Sequence, residues 1–170
     1  MGTEPREMMV VEHRDFEDLY RREYPGLFAV AAAMSGGMKG AEDLVQDTML
    51  RAFVHWKKVS VMQRPGGWCH RVLVNLCRNW YRRRGTEARW VARQRQEEPA
   101  WNAMSAESVS FVRALRTLPV RPRTAVVLFY IGDHSVAEVA AILDVPEGTV
   151  RSDLTRARVV LAAELGDGRD

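Results

Sequence analysis

Apolar residues recur at helical spacing along almost the whole chain. Phe16, Leu19, Tyr20, Tyr24, Leu27, Phe28, Ala31 and Met34 follow the three- and four-residue steps of one amphipathic helix, with a bend expected at Pro25. The tract Ser35-Gly36-Gly37-Met38-Lys39-Gly40 interrupts it. A second helix is expected from about 41 to 56 or 58, then a loop over 59–64. Pro65 suits the first turn of a third helix reaching Arg84. No stretch alternates as a half-buried strand would, so the predicted fold class is all-α. After Gly85 the period fades: residues 86–95 can continue as a basic helix, and 97–105 read as a linker. Four shorter helices follow at about 107–118, 122–131, 136–143 and 147–165, punctuated by Pro119 and Gly132. The simplest organisation is two small helical domains, 1–95 and 107–170, joined by a flexible linker at 96–106.

Composition adds exclusions. With 170 residues, 46% hydrophobic and 28% charged, the chain has the make-up of a soluble globular protein. Nothing approaches the ~20 apolar residues of a membrane span, and the start MGTEPREMMVVEHRDF is too charged for a signal peptide. A cytoplasmic protein without a membrane partner is therefore expected. Cys69 and Cys77 stand eight apart on one expected helix, too far to bridge, which fits a reducing compartment. The net charge of +3 conceals an asymmetry. Residues 1–50 carry 5 Lys/Arg against 10 acids, 51–95 carry 12 against the single Glu87, and 96–170 carry 8 against 11. A block that cationic is what a polyanion-binding surface requires, though a solvated basic face would share the count.

The helical faces sharpen this. On the second helix Ala41, Leu44, Val45, Thr48, Ala52 and Trp56 share the core side, and Asp43, Gln46, Asp47, Leu50 and Val54 the other. Carboxylates interleaved with aliphatics suit docking of a basic, partly apolar protein, but two scattered surface aliphatics are also common. On the third helix Trp68, Cys69, Val72, Leu73, Leu76 and Trp80 form the buried stripe. Arg71, Asn75, Arg78 and Arg82 run along the opposite side, with Arg83 and Arg84 beyond. Guanidinium groups hold phosphates and bases, and an asparagine amide both donates and accepts at a base edge. In the C-terminal half, Ser135-Val136-Ala137-Glu138 is a capping box, followed by a short helix, the turn Asp144-Val145-Pro146 and a longer helix. Val150, Leu154, Ala157 and Leu161 face its core; Gly148, Arg151, Ser152, Thr155 and Arg156 face out. That is the outline of a helix-turn-helix with 147–165 as recognition helix.

Catalysis finds little support. Asp43 and Asp47 lie one turn apart without a third ligand in register, and His70 lies off the side toward which Cys69 and Cys77 lean, so packing outweighs zinc. His13, His55 and His134 stand isolated, and no nucleophile–base pair, phosphate loop or glycine fingerprint occurs. The expectation is a non-enzyme without cofactor or metal. Two other readings remain: a stand-alone dimeric helix-turn-helix regulator using 1–95 for sensing, and a single-strand binder stacking bases on Trp80, Tyr81 and Trp90.

Taken together, the chain resembles the extracytoplasmic-function (ECF) sigma factors of bacterial RNA polymerase, with the actinobacterial sigma-E-like branch as the candidate subgroup. AEDLVQDTMLRAF (41–53) is similar to the family's core-polymerase-binding helix, and WCHRVLVNLCRNWYRRR (68–84) to its helix for the −10 promoter element. LRTLPVRPRTAVVL (115–128) with SVAEVAAILDVPEGTVRSDLTRAR (135–158) is similar to its domain for the −35 element. The resemblance implies that Asp43, Gln46, Asp47 and Leu50 grip the clamp helices of the polymerase's largest subunit. It implies that the 59–64 loop, ending in Arg64, captures a base flipped during melting, with Asn75 near the −10 element and Arg71, Arg78 and Arg82 holding phosphates or bases. Gly148, Thr149, Arg151, Ser152, Thr155 and Arg156 would meet the −35 element in the major groove. The linker would thread toward the RNA exit path and the C-terminal domain would sit on the polymerase flap. Core RNA polymerase and promoter DNA are the implied partners, and an anti-sigma factor is a further one common in the family. Asn79 departs from the family's usual aspartate, and Asp153 stands where a basic residue is common; Asp153 can pair with a neighbouring arginine or accept from a cytosine amine. The 59–64 loop also lacks an aromatic.

Overall fold

A computed structural model of the chain describes residues 5–35, 38–91 and 106–166, and every regular element among them is helical. In order these are α1 (Pro5–Ser35), α2 (Met38–Val54), α3 (Trp56–Val59), α4 (Pro65–Val91), α5 (Ala106–Leu115), α6 (Val120–Val126), a π-helical turn over Val127–Ile131, α7 (Val136–Leu143) and α8 (Glu147–Gly166). Apart from Ala106, the expected linker at 96–106 lies outside the described residues.

α1, α2 and α4 bundle around apolar positions that the spacing singled out, joined by Val30 and Val74, which it did not. Leu27, Val30 and Met34 of α1 meet Ala41, Val45 and Ala52 of α2 and Leu73 and Val74 of α4, all buried. Phe16 closes one end, with its ring 5.1 Å from Phe53 and 5.4 Å from Trp56. Thr48, the one polar member of the α2 stripe, is fully buried and donates to the Leu44 carbonyl at 2.8 Å, so its hydroxyl keeps a partner. Pro25 lies within α1, and α1 begins well before the Phe16 at which its period becomes legible. The expected single helix to 56 or 58 divides instead: α2 ends at Val54, and His55 adopts φ −100°, ψ 19°. The short α3 then turns the chain toward Pro65.

The C-terminal half buries Val112, Leu115 and Leu118 with Val126, Leu128, Val139, Leu143, Val150, Leu154 and Leu161. α5 stops at Leu115, earlier than 118, because the Arg116, Thr117 and Leu118 amides bond carbonyls three residues back and tighten the end into a turn. α6 starts directly after Pro119, with Pro122 inside the first turn, where a missing N–H costs nothing. The capping box forms as expected, Glu138 N–H donating to Ser135 Oγ at 3.2 Å and Ser135 N–H to Glu138 Oε2 at 2.8 Å. Asp144 ends α7 at φ 55°, a left-handed cap that Asp tolerates better than most residues.

The two halves pack on each other, α7 against the start of α4 and the 127–132 turn against α1. Here the sequence misleads. His70, expected off the buried side, is only 3% exposed, and His134, expected to be isolated, lies 4.3 Å from it, ring edge to ring face. The cover comes from 64 residues further along the chain, beyond the reach of any local period. Neither His70 Nδ1 nor His134 Nε2 has a hydrogen-bond partner among the described residues. Burial, with its neighbour His134 adding to it, pulls the His70 pKa down to about 4, and burial lowers His134 too.

Both imidazoles are therefore neutral in the packed chain at neutral pH. The unfolded state takes up a proton near pH 6.5 and the folded His70 only near 4, so stability is complete above 6.5 and declines as pH falls through that window. At pH 5 the loss from His70 is about 2 kcal/mol. Urea unfolding at pH 7 and pH 5 measures it: the drop is expected to shrink by about that amount in His70→Leu, and an unchanged drop contradicts the buried neutral imidazole.

Candidate nucleic-acid interface

α4 is two-sided. Cys69, Leu73 and Cys77 are buried and Trp68, Val72, Leu76 and Trp80 half-buried, while Arg71, Asn75, Arg82 and Arg83 are exposed and Arg78 half-exposed on the other side. Once α1 and α2 take the apolar stripe, the arginine line can only face outward. Arg82 Nη2 donates to Asn79 Oδ1 at 2.8 Å, so the amide at this departure from the family pattern holds the neighbouring guanidinium in place. Arg64 pairs with Glu138 of α7 at 2.6 Å, and Arg71 donates to the Ala141 carbonyl. Burial pushes the Cys69 and Cys77 thiols up to about 12, which keeps them protonated and poor as nucleophiles or ligands. Among the described residues no three His, Cys, Asp or Glu side chains are grouped to hold a metal.

α2 presents the acidic-aliphatic face as expected. Asp43 and Gln46 are exposed, Asp47 is half-buried, and Leu50 and Val54 are 61% and 68% exposed. Phe53, absent from the predicted face, is 44% exposed beside them; its position three residues after Leu50 was the signal for it. Asp47 accepts from Arg51 at 3.1 Å, an exposed pair one turn apart.

α8 exposes Gly148, Arg151, Ser152, Thr155 and Arg156, with Thr149 half-buried. Glu147 accepts from Arg151 at 2.9 Å, which steadies the guanidinium over the first turn. Asp153 is only 2% exposed and takes both oxygens to Arg121 of α6, at 2.8 and 3.1 Å. Of its two expected roles the arginine pair is realised, and the base contact is removed because the carboxylate faces the core side. The bidentate pair locks α6 to α8. Gly148 has open space around it: an added Cβ meets nothing within 4 Å. The fold does not need a glycine there, whereas a backbone pressed close to a phosphate does. The stacking platform fares badly, because Trp80 packs on the core and Tyr81 lies under Arg123, whose guanidinium is 5.4 Å from the ring centroid.

Comparisons with known proteins identify the family. A family model for "Sigma-70 region 2" matches residues 19–87, and one for "Sigma-70, region 4" matches 108–161. The ECF RNA polymerase sigma factor SigM of Mycobacterium tuberculosis is 35% identical over 153 residues, 89% of this chain and 77% of that protein. The chain belongs to the ECF sigma factors. The RNA polymerase sigma-E factor of Streptomyces coelicolor is 29% identical, covering 89% of this sigma factor and 86% of the relative. The sigma factor RpoE of Bartonella quintana, solved in complex with the anti-sigma factor NepR, aligns with a TM-score of 0.76 at 29% identity, over 90% of this chain and 98% of that one. This is therefore a promoter-recognising sigma factor of RNA polymerase, a transcription initiation factor. The stand-alone regulator gives way, since the region 2 match accounts for the half reserved for sensing.

Gly148→Ala separates fold from contact. Helix propensity favours alanine by roughly 0.5–1 kcal/mol, so the melting temperature is expected to rise slightly while affinity for duplex promoter in the polymerase complex falls. Improved stability with unchanged DNA affinity shows that no close backbone approach occurs there.

Proposed function

We propose that the three exposed faces divide the work of initiation. Asp43, Gln46, Asp47 and Leu50 on α2 hold the clamp helices of the polymerase's largest subunit, where acids meet basic side chains and Leu50 supplies apolar contact. Arg64, Arg71, Asn75, Arg78 and Arg82 bind the −10 element and help keep it melted. The 59–64 loop takes a flipped base, whose unpairing costs a few kcal/mol that a protein pocket offsets. Gly148, Thr149, Arg151, Ser152, Thr155 and Arg156 read the −35 element in the major groove. The linker runs toward the RNA exit path and the C-terminal domain rests on the flap. The protein works in the cytoplasm; no described helix is long and apolar enough to cross a membrane. An anti-sigma factor is a proposed further partner, supported by the NepR complex of the Bartonella RpoE.

The observation that carries this reading is the outer line of α4, in a 45-residue block with twelve basic side chains and one acid. Counterion release from so many cations supplies affinity, and the amide among them supplies a group able to tell bases apart. Run-off transcription from a randomised promoter library with purified core polymerase tests it. Specific start sites dependent on this chain are expected, and transcripts identical to those of core alone overturn it.

Two variants locate the faces. Asp47→Arg is expected to abolish co-elution with core while leaving the melting temperature nearly unchanged, because its exposed pair with Arg51 contributes only about 0.2–1 kcal/mol. Retained core affinity refutes that docking face. Arg151→Ala is expected to weaken selection of the upstream element by about 1–3 kcal/mol. Equal losses on every sequence demote Arg151 to a phosphate contact.

A further inference from the structure

Asn79 lies beside the outer line of α4, three residues before Arg82. Both side chains are exposed, and Arg82 Nη2 donates to Asn79 Oδ1 at 2.8 Å. The fold gains little from this bond: asparagine is a weak helix former, and two exposed groups that pair also have water to pair with. Arg51, Arg121 and Arg151 take carboxylates instead, from Asp47, Asp153 and Glu147. On α4 the neutral acceptor falls in a stretch, Pro65 to Arg84, that contains no Asp or Glu at all. An acid at 79 would accept the same bond, but it would set a negative charge against the phosphates this face is proposed to meet.

What the acceptor does for Arg82 follows from the shape of the side chain. Arginine is long and rotamer-rich, so unrestrained it meets phosphate oxygens from many directions and tells no base from another. Held at one Nη, the planar guanidinium keeps a fixed bearing, and part of the ordering that binding requires is done before DNA arrives. We infer that Asn79 is a positioning residue for −10 recognition, whose carbonyl aims Arg82 at a base edge while adding no negative charge to the face. The inference rests on α4 being the −10 face.

The test uses polymerase assembled from core and the full chain. It selects from a pool of forked promoter fragments randomised over the −10 segment, and the bound fraction is sequenced. Arg82→Ala is expected to erase the preference at one position, and Asn79→Ala to reduce it about fivefold at that same position. The double variant should lose no more than Arg82→Ala alone, because both changes remove one contact. Asn79→Asp should restore the preference, since a carboxylate accepts the same bond. Its slope of log affinity against log salt should nevertheless be shallower than the parent's by about one. A preference untouched by Asn79→Ala overturns the positioning role and leaves Arg82 as a contact. An added loss in the double variant, or no rescue by Asn79→Asp, shows that the Asn79 amide meets DNA itself and also overturns it. A parent slope in Asn79→Asp overturns the part assigned to charge. If Arg82→Ala alters no position, the −10 assignment of Arg82 falls and the inference with it.

Discussion

The direction in which α4 offers its arginines is set by what the other side of the helix must bury. Leu73, Val74 and Cys77 are at most 1% exposed, and a helix that gives that stripe to α1 and α2 has no rotational freedom left. Arg71, Asn75, Arg78 and Arg82 then form a line of fixed bearing, with no loop to blur it. Rigid helices with long cationic side chains suit polyanion recognition, because the backbone is already positioned and only side-chain ends need to be ordered on binding. The same reasoning holds for α2, where Ala41, Val45 and Ala52 are fully buried and the acidic-aliphatic face is left pointing out.

In the C-terminal half the corresponding constraint is electrostatic. Asp153 sits at the boundary between the core stripe of α8 and its outer face, and a buried carboxylate without a partner would be costly. Arg121 answers it with two hydrogen bonds from α6. A carboxylate set among the basic residues of α8 thereby serves the placement of that helix. The capping box at Ser135 and the left-handed Asp144 do the same for α7, fixing where the helix-turn-helix begins and bends.

What could be read from the chain was what repeats within a few residues. The buried sides of α2, α4 and α8 and the three exposed faces follow from 100° per residue, and the capping box from four consecutive letters. Beyond the exposed Phe53 and the early end of α5, three larger features escaped. The break at His55 falls inside an uninterrupted apolar period, where Ala52 before it and Trp56 after it both remain core residues. The π-helical turn over Val127–Ile131 has no local breaker until Gly132, and its geometry belongs to the packing of that turn against α1. The His70–His134 contact joins residues far apart in sequence, so a wheel drawn on α4 alone places His70 in solvent. Each of these three is tertiary, and each lies at or near a junction between elements.

Those junctions differ in strength from the cores they connect. Within each half, large aliphatic side chains such as Leu27, Met34, Leu73, Leu115 and Leu128 are fully buried, each contributing about 1.5–3 kcal/mol. Between the halves the described contacts are the 127–132 turn packed on α1, an exposed ion pair, one carbonyl bond, two neutral imidazoles and a tyrosine ring under an arginine. Exposed pairs of that kind contribute on the order of 0–1 kcal/mol, and ring nitrogens buried without partners subtract from the total. The polar part of the junction thus adds little, and the apolar packing of the 127–132 turn on α1 carries more of it. A promoter-recognising subunit depends on such cores, because each must be firm enough to hold its exposed face true.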